Sequence, residues 1–207
     1  MIQTDKLKFT YKDGPEFSFP DIKVPSKENL LITGNSGVGK TTLLHLLAGI
    51  RRPVSGKVEI NDTSLYDLKP SELDSFRGNN IGVVFQQPHF VSGLSALENI
   101  EIAIKKGVAN KSSHINKLVK RLGIENRASY KTNNLSLGEK QRLGIARAIV
   151  NKPQVLYADE PTASLDDNNA SIVMELLLEE AEINNSQLVC ITHDQRVKKY
   201  FKNEIDL

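Results

Sequence analysis

The stretch Leu30–Thr42, LLITGNSGVGKTT, decides the fold. Leu30–Thr33 is short and apolar, and reads as a buried strand. Gly34-Asn35-Ser36-Gly37-Val38-Gly39-Lys40-Thr41 then matches G-x-x-x-x-G-K-[ST]. Thr41–Ala48 has helical character, with Gly49 as its stop. Glycines let the backbone wrap tightly because they tolerate positive φ. Successive N–H groups then point inward as an anion nest, and the following helix adds the positive end of its dipole. Lys40 contributes a point charge for the outer phosphates of a triphosphate, and the Thr41 hydroxyl is a ligand for Mg2+. The whole run Gly34–Thr42 is therefore the expected nucleotide cradle. The alternative, a glycine-rich turn that binds nothing, is weakened by the strand before it and the helix after it.

Working outward, Leu7–Tyr11 and Glu16–Val24 are rich in aromatic and β-branched residues and flank Lys12-Asp13-Gly14-Pro15, which predicts a hairpin. Lys57–Ile60, Ile81–Phe85, Val155–Ala158 and Leu188–Thr192 read as further strands. Helices are expected over Leu137–Val150 and Ala170–Ile183. Between Gln87 and Asn134 the pattern changes to helical spacing, at Leu97–Ile104 and Ile115–Leu122. Strands alternating with helices indicate an α/β fold with a mainly parallel sheet. The expected organisation is a single domain over 1–207. Residues 1–86 and 135–207 form the core with an N-terminal antiparallel β subdomain, and 87–134 an inserted α-helical subdomain.

Bulk properties narrow the possibilities. Of 207 residues, 39% are hydrophobic and 25% charged, ordinary values for a globular chain. The net charge of +2 makes no case for nucleic-acid binding. The basic residues Arg196, Lys198, Lys199 and Lys202 read as a solvated helix face. The one cysteine, Cys190, permits no intrachain disulfide, and its apolar neighbours mark it as a buried hydrophobe. No apolar run approaches the roughly 18 residues of a spanning helix, and the first residues lack a signal-peptide core. The expected location is cytoplasmic, with any membrane role exercised through a partner.

Val155–Glu160 is an apolar strand ending in two acids. In an open parallel sheet, ligands gather beyond the carboxyl ends of the strands. Asp159 and the glycine-rich loop both fall there. Asp159 is the candidate Mg2+ ligand, and Glu160 the candidate group that polarises an attacking water. Isolated Asp-Glu pairs at strand ends are commonly just solvated acids, but the cradle upstream makes that reading weak here.

Three further runs complete a pattern. They are Leu135-Ser136-Leu137-Gly138-Glu139-Lys140-Gln141-Arg142, Ala158-Asp159-Glu160-Pro161-Thr162-Ala163-Ser164-Leu165-Asp166, and His193 after an apolar strand. In order and spacing the chain resembles the ATPase subunits of ABC transporters from about Leu7 to Asp194. The resemblance implies a dimer closed head to tail over two Mg-ATP. In it, Ser136, Gly138 and Glu139 form a signature motif that reaches nucleotide held by the other subunit. It also implies that His193 is a switch histidine, that Gln86 of a Q-loop senses the metal, and that the loop of Asp166 touches the opposite subunit. Tyr11 matches the aromatic residue that stacks on adenine, and equally suits an ordinary strand aromatic. Leu137 departs from the family's glycine and implies an altered rate.

The wording of Phe85-Gln86-Gln87, Leu97-Glu98-Asn99-Ile100 and Ile145-Ala146-Arg147-Ala148 is most similar to the lipoprotein-releasing and macrolide-exporter subfamily, with the cell-division ATPase close by. That implies membrane permease subunits as partners, a second copy or sister ATPase subunit, and no nucleic acid. The helical insertion is the expected receiver of the permease, with Phe90, Val91 and Leu94 as groove residues or, equally, insertion core. Two other readings stand beside a transporter: a mechanical or regulatory ATPase of a cell-division or cell-wall complex, and an ABC protein acting on DNA or ribosomes. The last normally carries two cassettes or long coiled-coil inserts, and neither is present.

Overall fold

Neighbouring residues on the central strands face opposite cores, and that alternation organises the molecule. A computed structural model describes residues 1–12, 14–105, 110–163 and 165–207. Asp13 of the expected hairpin turn and Ser164 of the run after Glu160 lie outside the described residues. In chain order the elements are β1 (Ile2–Thr10), β2 (Glu16–Ser18), β3 (Lys23–Val24), β4 (Leu30–Thr33), α1 (Lys40–Leu47), β5 (Ser55–Ile60), β6 (Thr63–Ser64), α2 (Pro70–Asn80), β7 (Ile81–Val84), α3 (Ala96–Glu101), α4 (Lys111–Arg121), α5 (Leu137–Ile149), β8 (Val155–Asp159), α6 (Asp167–Ile183), β9 (Gln187–Ile191) and β10 (Asn203–Asp206).

One sheet has the order β10-β4-β9-β8-β7, with every neighbouring pair parallel. On one side Leu31, Leu156, Leu188 and Cys190 meet α5, α6 and the helices α3 and α4. On the other, Ile32, Tyr157, Val189 and Ile191 meet α1 and the antiparallel sheet. Both faces are covered, which is why these strands read as continuous apolar runs. The second sheet, β2-β1-β5-β6 with β3 also on β1, is antiparallel throughout.

Helix α1 lies inside the molecule: Leu43, Leu44, Leu46 and Leu47 have no exposed surface. Each contributes roughly 1.5–3 kcal/mol relative to an exposed leucine. Gly49, at φ 65°, ends the helix in the left-handed region. The Tyr157 hydroxyl donates to Leu47 O at 3.1 Å and ties β8 to the end of α1. On the opposite side α5 lies almost on β7. A Cβ on Gly82 would stand 2.3 Å from Ala148 O, so only glycine lets the helix approach.

The expected strands and helices are present with shifted ends, except that the hairpin arm expected over Glu16–Val24 is broken into β2 and β3, which pair with opposite ends of a β1 that begins at Ile2. Helix α2 and strands β6 and β10 were not anticipated. Helix α2 buries only Leu73 and so has little apolar periodicity; Pro70 at its start and Glu72, whose carboxylate accepts Lys69 N at 2.9 Å, are its local signals. Strand β10 is four residues on a sheet edge, alternating between half-buried and exposed with no fully buried position, so nothing in its composition marks it. The inserted helices do not form a core of their own. Ile100, Ile115 and Leu118 share one cluster with Leu143 of α5. Among the described residues no helix is long and apolar enough to cross a membrane.

Candidate functional site

Strands β4, β8 and β9 end together, so Gly34, Glu160 and Thr192 emerge side by side at the carboxyl edge of the parallel sheet. Glu160 N donates to Ile191 O at 2.7 Å, and Thr192 N to Ile32 O at 3.1 Å. Between β4 and α1 the glycine-rich loop turns through positive φ at Gly34, Gly37 and Gly39. At Gly39 two constraints coincide. Its φ is 101°, and a Cβ there would stand 2.8 Å from the Phe17 ring. The loop therefore closes on the N-terminus of α1 only with glycine at this position.

Lys40 is 8% exposed, its ammonium held by the carbonyls of Gly34 at 2.8 Å and Asn35 at 3.0 Å. It also lies 3.9 Å from Glu160. Thr41 Oγ1 donates to Asp159 Oδ1 at 3.3 Å. Burial holds the Asp159 carboxyl above the usual carboxylate range, and neighbouring Glu160 adds to that; the Thr41 hydrogen bond and Lys40 oppose it. A positive charge delivered beside Asp159 would reverse the penalty. Two hard oxygen donors side by side suit Mg2+, which takes few protein ligands and completes its shell with water and phosphate. No cluster of three or more His, Cys, Asp or Glu among the described residues could hold a metal by itself.

Glu160 is 8% exposed and has φ 46°, a left-handed conformation that costs a non-glycine residue about 1–3 kcal/mol. Its carboxylate is heavily held. Thr192 Oγ1 donates to Oε2 at 2.6 Å, and His193 N approaches both oxygens at 3.3 Å. His193 Nδ1 lies 2.8 Å from Oε1. An ionised carboxylate only accepts, so the proton of that bond is on Nδ1. The imidazole is otherwise exposed, at 66%. Behind Glu160, Gln141 of α5 donates to Pro161 O at 3.1 Å. Cys190 is fully buried and its thiol is pushed well above the usual range by burial, in keeping with an inert packing residue.

A pocket in front of the loop is lined by Phe17, Ser36, Gly37, Thr41, Gln86 and His193, with Lys40 and Glu160 at its base. Gln86 lines it and Gln87 does not. Tyr11 does not line it. Its hydroxyl pairs with Thr42 Oγ1 at 2.8 Å, its ring meets Phe9 and Phe17 edge-on, and the Arg51 guanidinium lies 5.0 Å over it. Phe17, stacked on Phe19, is the aromatic at the pocket wall.

Ser136, Leu137, Gly138 and Glu139 stand apart from this pocket. Ser136 caps α5, accepting from Glu139 N at 3.3 Å, while Glu139 accepts from Ser136 N at 2.7 Å. Arg127 binds the same carboxylate at 2.7 Å. Together they hold the Glu139 carboxyl down at about 2, the Arg127 hydrogen bond contributing most. The glutamate is thus a working member of a capping box. Leu137 is 50% exposed beside them. Asp166 caps α6 in the same way, accepting from Asn169 N at 2.9 Å.

The basic tail is solvent-facing, as expected, and is also paired. Arg196, Lys198, Lys199 and Lys202 are exposed, but Arg196 also binds Asp194 and Asp167. Lys198 pairs with Glu204 at 2.6 Å. Thr192, Phe17, Gln141 and Arg196 were not singled out for the site from the sequence. Only Thr192, next to His193 at a strand end, carried a local signal. Elsewhere, a cavity of about 350 Å³ between α5 and the 85–90 segment is lined by Ile50, Arg77, Phe85, Phe90 and Arg147. Arg147 lies 5.4 Å over the Phe90 ring. Val91 and Leu94 do not line it; the Asn99 side chain pins the backbone of Val91.

The family described as ABC transporter matches residues 19–163. The lipoprotein-releasing system ATP-binding protein LolD of Syntrophotalea carbinolica is 39% identical over 204 residues, covering 95% of this chain and 90% of that protein. The dimeric structure of a bacterial ABC transporter cassette superposes with a TM-score of 0.90 at 31% identity, covering 100% of this chain and 94% of the other. A dimeric post-hydrolysis state of the same cassette, bound to ADP and Pi, gives a TM-score of 0.89 at 31% identity, with the same coverage.

Proposed function

The chain belongs to the ABC transporter family as an ATP-binding and ATP-hydrolysing subunit, and from that premise we propose how its residues divide the work. Gly34–Thr42 hold the triphosphate, with main-chain amides and Lys40 facing the β- and γ-phosphates. Thr41 and Asp159, with Gln86 nearby, would hold Mg2+, which when bound would neutralise charge on the phosphates. A second copy or a sister subunit closes head to tail, and Ser136, Gly138 and Glu139 of one subunit meet the nucleotide of the other. That the solved cassettes similar to this chain are dimers supports this arrangement. So does the separation of the signature residues from the pocket of their own chain.

Glu160 accepts a hydrogen bond from the attacking water and takes its proton as the new P–O bond forms. The bond to the β-phosphate oxygen breaks and ADP departs with the electron pair. With Nδ1 on Glu160, a neutral His193 ring presents Nε2 only as an acceptor. Donation to the γ-phosphate then requires a doubly protonated ring, or release of Glu160. The observation that carries this reading is the fixed Glu160 carboxylate, bonded to Thr192 and His193 and 3.9 Å from Lys40.

Similarity to lipoprotein-releasing ATP-binding proteins supports a membrane permease of that kind as partner, with the subunit on the cytoplasmic face of the membrane. The cavity of Phe85, Phe90 and Arg147 is the groove we assign to it. Glu160→Gln tests the core of the reading. It keeps ATP affinity, traps an ATP-dependent dimer seen by light scattering, and loses turnover by about 100-fold or more, the scale of a general base. Turnover at the parent rate would sink the assignment.

A further inference from the structure

Glu160 is tied through a continuous set of hydrogen bonds to the segment that begins α6, and the centre of that set is Arg196. Its Nε donates to Asp194 Oδ1 at 2.9 Å and its Nη2 to Oδ2 at 2.7 Å, a fork on one carboxylate. Nη1 is left free to turn the other way. It binds Asp167 Oδ1 at 2.6 Å and approaches Leu165 O at 3.3 Å. Asp194 continues inward. Its Oδ2 accepts from Thr162 Oγ1 at 2.7 Å, and its N–H donates to Thr192 Oγ1 at 3.0 Å. Thr192 Oγ1 in turn donates to Glu160.

We propose that Arg196 is a positioning residue for hydrolysis: it clasps Asp194 to the Leu165–Asp167 segment and so holds Thr192 and His193 in register with Glu160. The proposal rests on the reading of Glu160 as the group that activates water. Glu160 sits in a left-handed conformation that its own backbone disfavours, so its orientation depends on what surrounds it. Two of its partners, Thr192 and His193, lie just before Asp194 in the chain. They are on a turn whose other anchor is the Arg196 fork. A clasp between the start of α6 and the His193 turn therefore fixes the reacting carboxylate from outside its own strand.

The geometry demands arginine. A planar guanidinium can grip one carboxylate with two nitrogens while a third reaches a second acid; an ammonium acts as a single point charge. Exposed ion pairs usually contribute little to stability. Asp167 is of that exposed kind, but Asp194 is only 14% exposed and its carboxyl is held down at about 2, the Arg196 hydrogen bonds contributing most.

The test is steady-state ATP hydrolysis by the purified chain, with ATP titrations and melting curves, for Arg196→Met, Arg196→Lys, Asp167→Asn and the Arg196→Met/Asp167→Asn double variant. Arg196→Met is expected to lower kcat about tenfold, with KM and ATP affinity within about twofold of the parent, as expected for an interaction expressed in the chemical step. Arg196→Lys recovers part of the rate, and Asp167→Asn adds little once Arg196 is gone. An Arg196→Met chain with the parent kcat overturns the proposal. So does one whose rate, ATP affinity and melting temperature fall together, because that marks a merely structural role. A parent chain that neither binds nor hydrolyses ATP would instead overturn the reading of the site itself.

Discussion

His193 Nδ1 lies 2.8 Å from Glu160 Oε1, joining the second residue after β9 to the residue after β8 across the carboxyl edge of the sheet. Two side chains 33 positions apart thus act as one unit, and the histidine is the more exposed of the two.

Replacing His193 by alanine removes a hydrogen bond to an ionised group while leaving Thr192 and both backbone contacts of Glu160 in place. Such bonds are worth about 1.5–3 kcal/mol, so kcat should fall roughly 10- to 100-fold. Nucleotide affinity should change little, because the Gly34–Thr42 cradle is untouched. Steady-state kinetics with an ATP titration reads both. A rate loss matched by an equal loss of affinity would show that His193 acts in binding rather than turnover.

Gly39→Ala should damage folding and nucleotide binding together. Its Cβ would stand 2.8 Å from the Phe17 ring, at a backbone φ of 101°. Overpacking of this kind costs about 1–3 kcal/mol before the backbone strain is added. Adding Phe17→Ala removes the clash but not the strain, so the double variant should recover only part of the lost melting temperature. Full recovery would mean that φ at this position carries no cost.

Acid should loosen the signature cap and the turn after His193. Glu139 and Asp194 are both held down at about 2 in the folded chain, by Arg127 and Arg196 respectively, each assisted by further hydrogen bonds. A carboxyl lowered by folding stabilises the fold above its unfolded value and loses that contribution as pH falls through the folded one. Melting temperature should therefore decline from about pH 5 toward pH 2. Glu139→Gln or Asp194→Asn should each flatten the decline. Asp159, raised by burial, works in the opposite direction, since its burial penalty is relieved by protonation. An unchanged slope in both variants would show that neither clasp contributes.

Much of the fold was legible because it is written in local pattern. The strand-turn-helix run at Leu30–Leu47 and the apolar strand into Asp159-Glu160 need no knowledge of distant residues. Asp166 and Ser136 cap their helices through residues three positions on, again a local signal. Tyr11 shows where pattern stops. Its place in the chain suits adenine stacking or an ordinary strand aromatic, and its contacts with Thr42, Arg51 and Phe17 are brought there by strand pairing and by α1. Phe17 reaches the pocket wall from the same hairpin with no motif to mark it.

The sequence alone determined the order of the elements, the phosphate cradle and the acids beyond it, because backbone conformation and hydrophobic period depend on residues a few positions apart. Only the tertiary structure decided the left-handed Glu160, its bonds to Thr192 and His193, the edge strand β10 and the Arg196 clasp on Asp167 and Asp194. Those partners lie up to 175 positions apart, as in the link from Asn203 of β10 to Glu28. A side chain's charge and hydrogen-bonding capacity are local properties. Which group satisfies them is settled when distant strands come side by side.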